Sequence, residues 1–174
     1  TRAGADGTFA FDSPEGARVI RPIELPPPWS LERVLYRGRD ITDSPLDFIQ
    51  GQTYTDLRVI LTDQTSRLTG LITDETGAVV SDRAVVALSA NPALRHAGSR
   101  HIRLVYPDLN GRYDIRGLPA GTYVVAVVEE LYEGELFERE VFDLIALMGE
   151  EATLSRGEAT TLDLTVRSEC ERLA

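Results

Sequence analysis

The chain is predicted to be all-β: layered sheets of short strands, arranged as two β-sandwiches in tandem, with one short helix in the second copy. Three observations predict this. Apolar and polar residues alternate at a period of two in short runs, and glycine, proline, aspartate and asparagine punctuate those runs. A set of motifs also recurs about 105 residues further along the chain.

From the N-terminus the strand-like runs are 8–12, 17–25, 31–37 and 54–62, followed by 67–74, 83–90, 102–106, 111–116, 122–129 and 160–167. Leu57, Val59 and Leu61 alternate with polar neighbours, as do Leu162, Leu164 and Val166. This period places the apolar members on one sheet face and the Asp, Arg and Thr residues between them in water. Asp6-Gly7 and Asn110-Gly111 supply the positive φ that tight hairpins need. The unbroken run Val124, Val125, Ala126, Val127 and Val128 suits a strand packed on both faces. Val141, Leu144, Ile145 and Met148 instead follow helical spacing. They predict a helix over 140–148, capped by Gly149 and covering an open end of the second sandwich.

The repeat aligns Asp6-Gly-Thr-Phe-Ala-Phe11 with Asn110-Gly-Arg-Tyr-Asp-Ile115, and Pro14-Glu-Gly16 with Pro119-Ala-Gly121. Each copy closes with a glycine, a polar residue and an alternating strand, from Gly51-Gln52 to Leu61 and from Gly157-Glu158 to Val166. The strands between Arg67 and Tyr106 have no counterpart in the first copy. The expected modules are therefore 1–63, incomplete at its opening strands, and 64–174, complete. A sandwich lacking its opening strands exposes edge and core.

Twenty-eight acidic residues against 18 basic ones give a net charge of −10 and a pI near 4.7. Such a surface repels phosphate backbones and anionic lipid, which argues against nucleic acid or a membrane surface as partner. The sole cysteine, Cys170, excludes an intrachain disulfide and is expected to be an unpaired tail residue. No apolar run is long enough to span a bilayer, and an export signal or anchor is expected upstream of Thr1.

At the second copy a family resemblance appears. Leu68-Thr-Gly-Leu-Ile-Thr-Asp-Glu-Thr-Gly77 resembles the opening strand and turn of carboxypeptidase regulatory-like domains, and Arg83-Ala-Val-Val-Ala-Leu88 their second strand. Asn110-Gly-Arg-Tyr-Asp-Ile-Arg-Gly-Leu-Pro-Ala-Gly-Thr-Tyr123 is similar to their signature run. The resemblance implies transthyretin-like, immunoglobulin-like sandwiches, often in tandem in exported bacterial proteins, and non-catalytic in themselves. It covers the second copy nearly end to end and the later half of the first.

Several residues invite chemistry. Some related surface modules lock themselves with a lysine isopeptide bond, but all 18 basic residues here are Arg, so the amine nucleophile is missing. Asp108, Asn110 and Asp114 gather oxygen ligands in the order of a calcium loop, without its closing Glu; Asx-Gly hairpin chemistry accounts for them equally. His96 and His101 form half a zinc site at most. Ser99, His101 and Asp108 name a triad with no nucleophile elbow around the serine, so a solvated loop is expected. The acidic residues Glu129, Glu130, Glu133, Glu135, Glu138 and Glu140 are expected to form a solvated face. Trp29, behind the run Pro26-Pro27-Pro28, and Tyr36 are the candidate interaction surface; the Trp29 ring suits either sugar stacking or packing over a module edge.

The sequence thus predicts no enzyme and no cofactor. It predicts a structural or protein-interaction module of a larger exported or cell-envelope protein, periplasmic or at the cell surface. A protein partner or neighbouring subunit is expected. One alternative is an assembly subunit whose first module is completed by a neighbour's strand; another is a carbohydrate-binding module that takes a glycan.

Overall fold

The computed structural model describes residues 2–12, 15–96, 98–129 and 139–166. Cys170, Arg167 and the glutamates Glu130, Glu133, Glu135 and Glu138 lie outside them. The chain divides into two units, Thr1–Pro26 with Leu31–Leu61, and Pro27–Ser30 with Thr62–Ala174.

In the first unit β1 (Gly16–Arg18) pairs antiparallel with β4 (Leu46–Phe48), and β2 (Ser30–Tyr36) lies between β3 (Arg39–Asp40) and β5 (Leu57–Thr62). Arg37 and Gly38 both have positive φ, 50° and 78°, the geometry of a two-residue turn that matches the twist of a hairpin. Val34, Ile41 and Phe48 are buried. Thr42, also buried, receives the Val34 N–H on its hydroxyl at 2.9 Å and donates that hydroxyl to Asp40. Three expected strands differ here. Residues 8–12 belong to no strand, the run expected over 17–25 is a strand only at Gly16–Arg18, and the run from Tyr54 becomes a strand only at Leu57.

The second unit stacks two sheets. One has the order β11 (Glu150–Leu154), β10 (Gly121–Val128), β7 (Ala84–Ser89), β8 (Ile102–Val105), all antiparallel. In the other, β6 (Arg67–Asp74) pairs antiparallel with β9 (Arg112–Arg116) and parallel with β12 (Ala159–Thr161) and β13 (Leu164–Val166). Alternation decides what fills the space between them. Val85, Ala87, Tyr123 and Val125 from the first sheet meet Leu68, Ile72, Tyr113, Ile115 and Leu164 from the second in one buried cluster. The interleaved Val86, Leu88 and Ala126 point the other way. There they meet Phe142 and Ile145 of α1 (Arg139–Met148). The helix therefore covers the outer face of the sheet and not an end of the sandwich, and it makes β7 and β10 apolar on both faces.

The helical stripe is also rotated from its expected position. Phe142 and Ile145 are buried, with Val141 packed beside them, while Leu144 and Met148 are 36% and 38% exposed. Gly149 is not a left-handed cap. A Cβ there would fall 2.4 Å from Val124 Cγ1 and 2.9 Å from the Val125 carbonyl, so the glycine allows the chain to pass close over β10.

Among the described glycines the closest approach is at Gly70, in the middle of β6. A Cβ added there would lie 1.8 Å from the Leu162 carbonyl oxygen and 2.7 Å from the Tyr113 ring. The chain bulges between β12 and β13 so that this carbonyl crosses above Gly70 and accepts a hydrogen bond from the Tyr113 hydroxyl at 2.5 Å. The bulge is tied down by Leu162 N–H to Thr69 O and by Leu71 N–H to Asp163 Oδ1, each 2.9 Å. Burial raises the Tyr113 phenol above its ordinary range, keeping it a donor.

Gly16 faces Phe48 across β1 and β4, as Gly121 faces Leu154 across β10 and β11.

Candidate interaction groove in the first unit

Five aromatic rings from four separate stretches of the first unit form a row. Phe9 stacks on Phe11 with centroids 6.3 Å apart, and Phe11 meets Phe48 edge-on at 6.1 Å. Phe48 lies 4.9 Å from Tyr54, and Tyr54 5.9 Å from Tyr36. The Arg37 guanidinium lies 5.2 Å above the Tyr36 ring and closes the row with a cation–π contact. Tyr54 is fixed by its hydroxyl, which accepts from Ile49 N–H at 2.8 Å and donates to the Asp47 carbonyl at 2.9 Å. Asp56, at φ 61°, accepts the Arg37 N–H at 3.1 Å.

Four of these rings, Phe9, Phe11, Phe48 and Tyr54, line a groove of about 620 Å³ between residues 7–12 and 52–57, floored by Phe48. Phe48 is 2% exposed, but Phe11 is 39% exposed, a large apolar ring open to water. The second unit shows what the same positions become in a closed core: Tyr113 and Ile115, which align with Phe9 and Phe11, are 2% and 1% exposed.

Of the two residues expected to form an interaction surface, Tyr36 belongs to this row. Trp29 is 46% exposed in the segment Pro27–Ser30, which goes with the second unit. Phe9, Phe11, Phe48 and Tyr54 were not singled out from sequence. The internal repeat carried the signal for Phe9 and Phe11, since it aligned them with core positions of the complete copy.

The oxygen-rich residues of the second unit hold its hairpins. Asp108 Oδ1 accepts the N–H groups of Asn110 and Arg112, both at 2.9 Å, and these bonds hold its carboxyl below the usual range. Asp114 is gripped by two guanidinium groups: Arg67 makes a two-pronged contact at 2.8 and 2.9 Å, and Arg116 adds two bonds to Oδ2 at 2.8 and 2.6 Å. Among the described residues no three acidic, histidine or cysteine side chains gather as a metal cluster. The loop expected to be solvated is not: Ser99 and His101 are both 7% exposed. The Ser99 hydroxyl donates to the Leu94 carbonyl at 2.5 Å, and His101 Nδ1 lies 3.1 Å from the Tyr123 hydroxyl. That hydroxyl donates its proton to the Pro119 carbonyl at 2.8 Å, so it is Nδ1 that carries hydrogen toward Tyr123. This network fastens the loops on either side at the N-terminal end of β10, the one before it and the one after β7. Of the acidic series, Glu129 pairs with Arg83, and Glu140 is exposed in the first turn of α1.

The Arg67 and Arg116 contacts push the Asp114 carboxyl down to about 2. A group depressed in this way stabilises the fold above its unfolded pKa, and the contribution disappears as pH falls from the ordinary value of 3.8 toward 2. Asp114 keeps 34% of its side-chain surface in water, so screening reduces the contribution to about 1 kcal/mol. Asp114→Asn is expected to lower stability by that amount at pH 7 and by almost nothing at pH 2, read from urea midpoints across the range.

The fold is all-β, with sheets layered about a closed core in the second unit and one short helix. No protein-family model matches the chain, and no curated protein does. Among solved structures, a candidate carbohydrate-binding protein from Pseudomonas aeruginosa is 18% identical at a TM-score of 0.37, covering 59% of this chain and 89% of that one. A streptococcal ancillary pilin is 16% identical at 0.41, over 89% of this chain and 46% of the pilin. The major pilin subunit of Bacillus cereus is 13% identical at 0.40, over 64% of this chain and 31% of the pilin. The chain thus spans less than half of either pilin. Likeness at these scores assigns neither activity nor partner.

Proposed function

We propose that the chain is a non-catalytic structural and protein-interaction module of a larger exported cell-envelope protein, periplasmic or at the cell surface. In this reading it is a tandem of carboxypeptidase regulatory-like sandwiches, 1–63 and 64–174, the first lacking its opening strands. The aromatic groove is the surface that meets a partner polypeptide. One observation carries the reading: Phe11 is 39% exposed on the groove, whereas Ile115, the position that the repeat aligns with it, is 1% exposed in the second unit. The polar groups of the second unit that could suggest chemistry, Ser99, His101 and Asp114, are engaged in holding its loops and strands. No helix among the described residues is long and apolar enough to cross a membrane.

The groove is expected to bind the apolar dye anilinonaphthalene sulfonate. Phe11→Ser should weaken that binding at least threefold while leaving the far-ultraviolet circular dichroism unchanged. Equal dye binding by the variant would sink the assignment of the groove as the interaction surface. The 46% exposure of Trp29 supports a second reading, carbohydrate binding. A saturable fluorescence change on adding soluble cello- or chito-oligosaccharides, abolished in Trp29→Ala, would favour it; none is expected.

A further inference from the structure

The second unit shows which element belongs in the groove of the first. There, β6 lies between β9 on one side and β12 and β13 on the other. By the internal repeat, β9 corresponds to residues 8–12, and the stretch holding β12 and β13 corresponds to residues 53–61. The groove of the first unit runs between these two counterparts. The β1–β4 pairing repeats that of β10–β11, which fixes the correspondence from outside the groove. Further, β5 ends its sheet, with β2 on one side and no strand of the described residues on the other.

We propose that this groove receives a β-strand supplied from outside the described residues, antiparallel to residues 8–12 and parallel to residues 53–57. The inference rests on the groove being the interaction surface, and it specifies what binds there. The β6 register sets the sequence the strand must carry. Leu68 faces Ile115, so the donor needs an apolar side chain against Phe11. Gly70 faces Tyr113, under the Leu162 carbonyl and without room for a Cβ, so the donor needs glycine where it crosses Phe9 and Leu57. Ile72 is fully buried, which calls for a second apolar residue two places on. Arg67 faces Arg116, whose counterpart in the first unit is Asp12. A basic residue at the head of the donor therefore meets a carboxylate, in a chain whose net charge of −10 already attracts cationic segments. The motif is basic–apolar–x–Gly–x–apolar, with main-chain bonds supplying affinity and alternate side chains supplying selectivity.

The probe is a synthetic peptide with the sequence of residues 66–75, added to the full chain. Amide hydrogen exchange is followed for the chain, and affinity is measured by calorimetry. The peptide is expected to slow exchange at residues 8–12 and 53–57. The same peptide carrying Gly70→Val should bind at least tenfold more weakly, and Asp12→Arg in the chain should weaken the unmodified peptide at least threefold. If the valine peptide or a scrambled one binds as well as the matched peptide, the strand proposal falls, while the groove remains an apolar interaction surface. If no peptide binds although the dye still reports an open groove, the strand proposal falls alone. Slow exchange in these residues before any peptide is added would mean that the groove is filled by the described residues, of this chain or of a second copy, and would also overturn it. Loss of both dye and peptide binding would remove the underlying reading as well.

Discussion

Replacing Gly70 by alanine is expected to cost the second unit more than about 3 kcal/mol. The added methyl would sit 1.8 Å from the Leu162 carbonyl oxygen, and that oxygen is main chain, so no rotamer change relieves the clash. Moving the carbonyl away would break its bond from the Tyr113 hydroxyl and loosen the two bonds that hold the bulge. Each route removes pairing from buried polar groups. Gly77→Ala is the proper control. Gly77, unlike Gly70, sits at positive φ, 83°, but nothing lies within 4 Å of where its Cβ would go. It should cost only about 1 kcal/mol. Urea denaturation followed by circular dichroism would separate the two, and near-equal midpoints would overturn the steric account.

Phe142→Ala is expected to remove about 3 kcal/mol and lower Tm by roughly 10 °C. Phe142 is 5% exposed and packs with Ile145 on Val86, Leu88 and Ala126. Those three residues face away from the core between the sheets, so the helix is their cover. Leu147→Ala, at a position 84% exposed on the same helix, should change Tm by less than about 2 °C. A small effect at Phe142 would mean that α1 does not shield this face.

The second unit was legible because its alternation is strong and its strands have partners within the same chain. Residues 67–74 form the strand expected, and the continuous apolar run at 124–128 does pack on both faces. What β10 packs against could not be read from periodicity, since the helical stripe turns by about one residue to bring in Phe142 in place of Leu144. The strand β11 was missed because its Glu-Glu-Ala-Thr-Leu follows the helix directly and carries only Ala152 and Leu154 inward. The first unit was misread for a different reason. Residues 8–12 have the pattern of β9, but a strand exists only when another pairs with it, and pattern alone carries no information on pairing. The aromatic row was nearly invisible from sequence because its members come from stretches far apart in the chain. Only the repeat linked two of them to core positions.

The parallel pairing of β6 with β13 has a mechanical consequence. These are the first and last strands of the second unit among the described residues, side by side and running the same way. Tension applied through the two ends of this unit pulls them in opposite directions along their length. The bonds joining them are then loaded together in shear, and none can be peeled open singly as at the end of a hairpin. A link in a chain under tension would yield late and abruptly when built this way, and its lifetime under load would follow the unfolding rate more than the equilibrium stability.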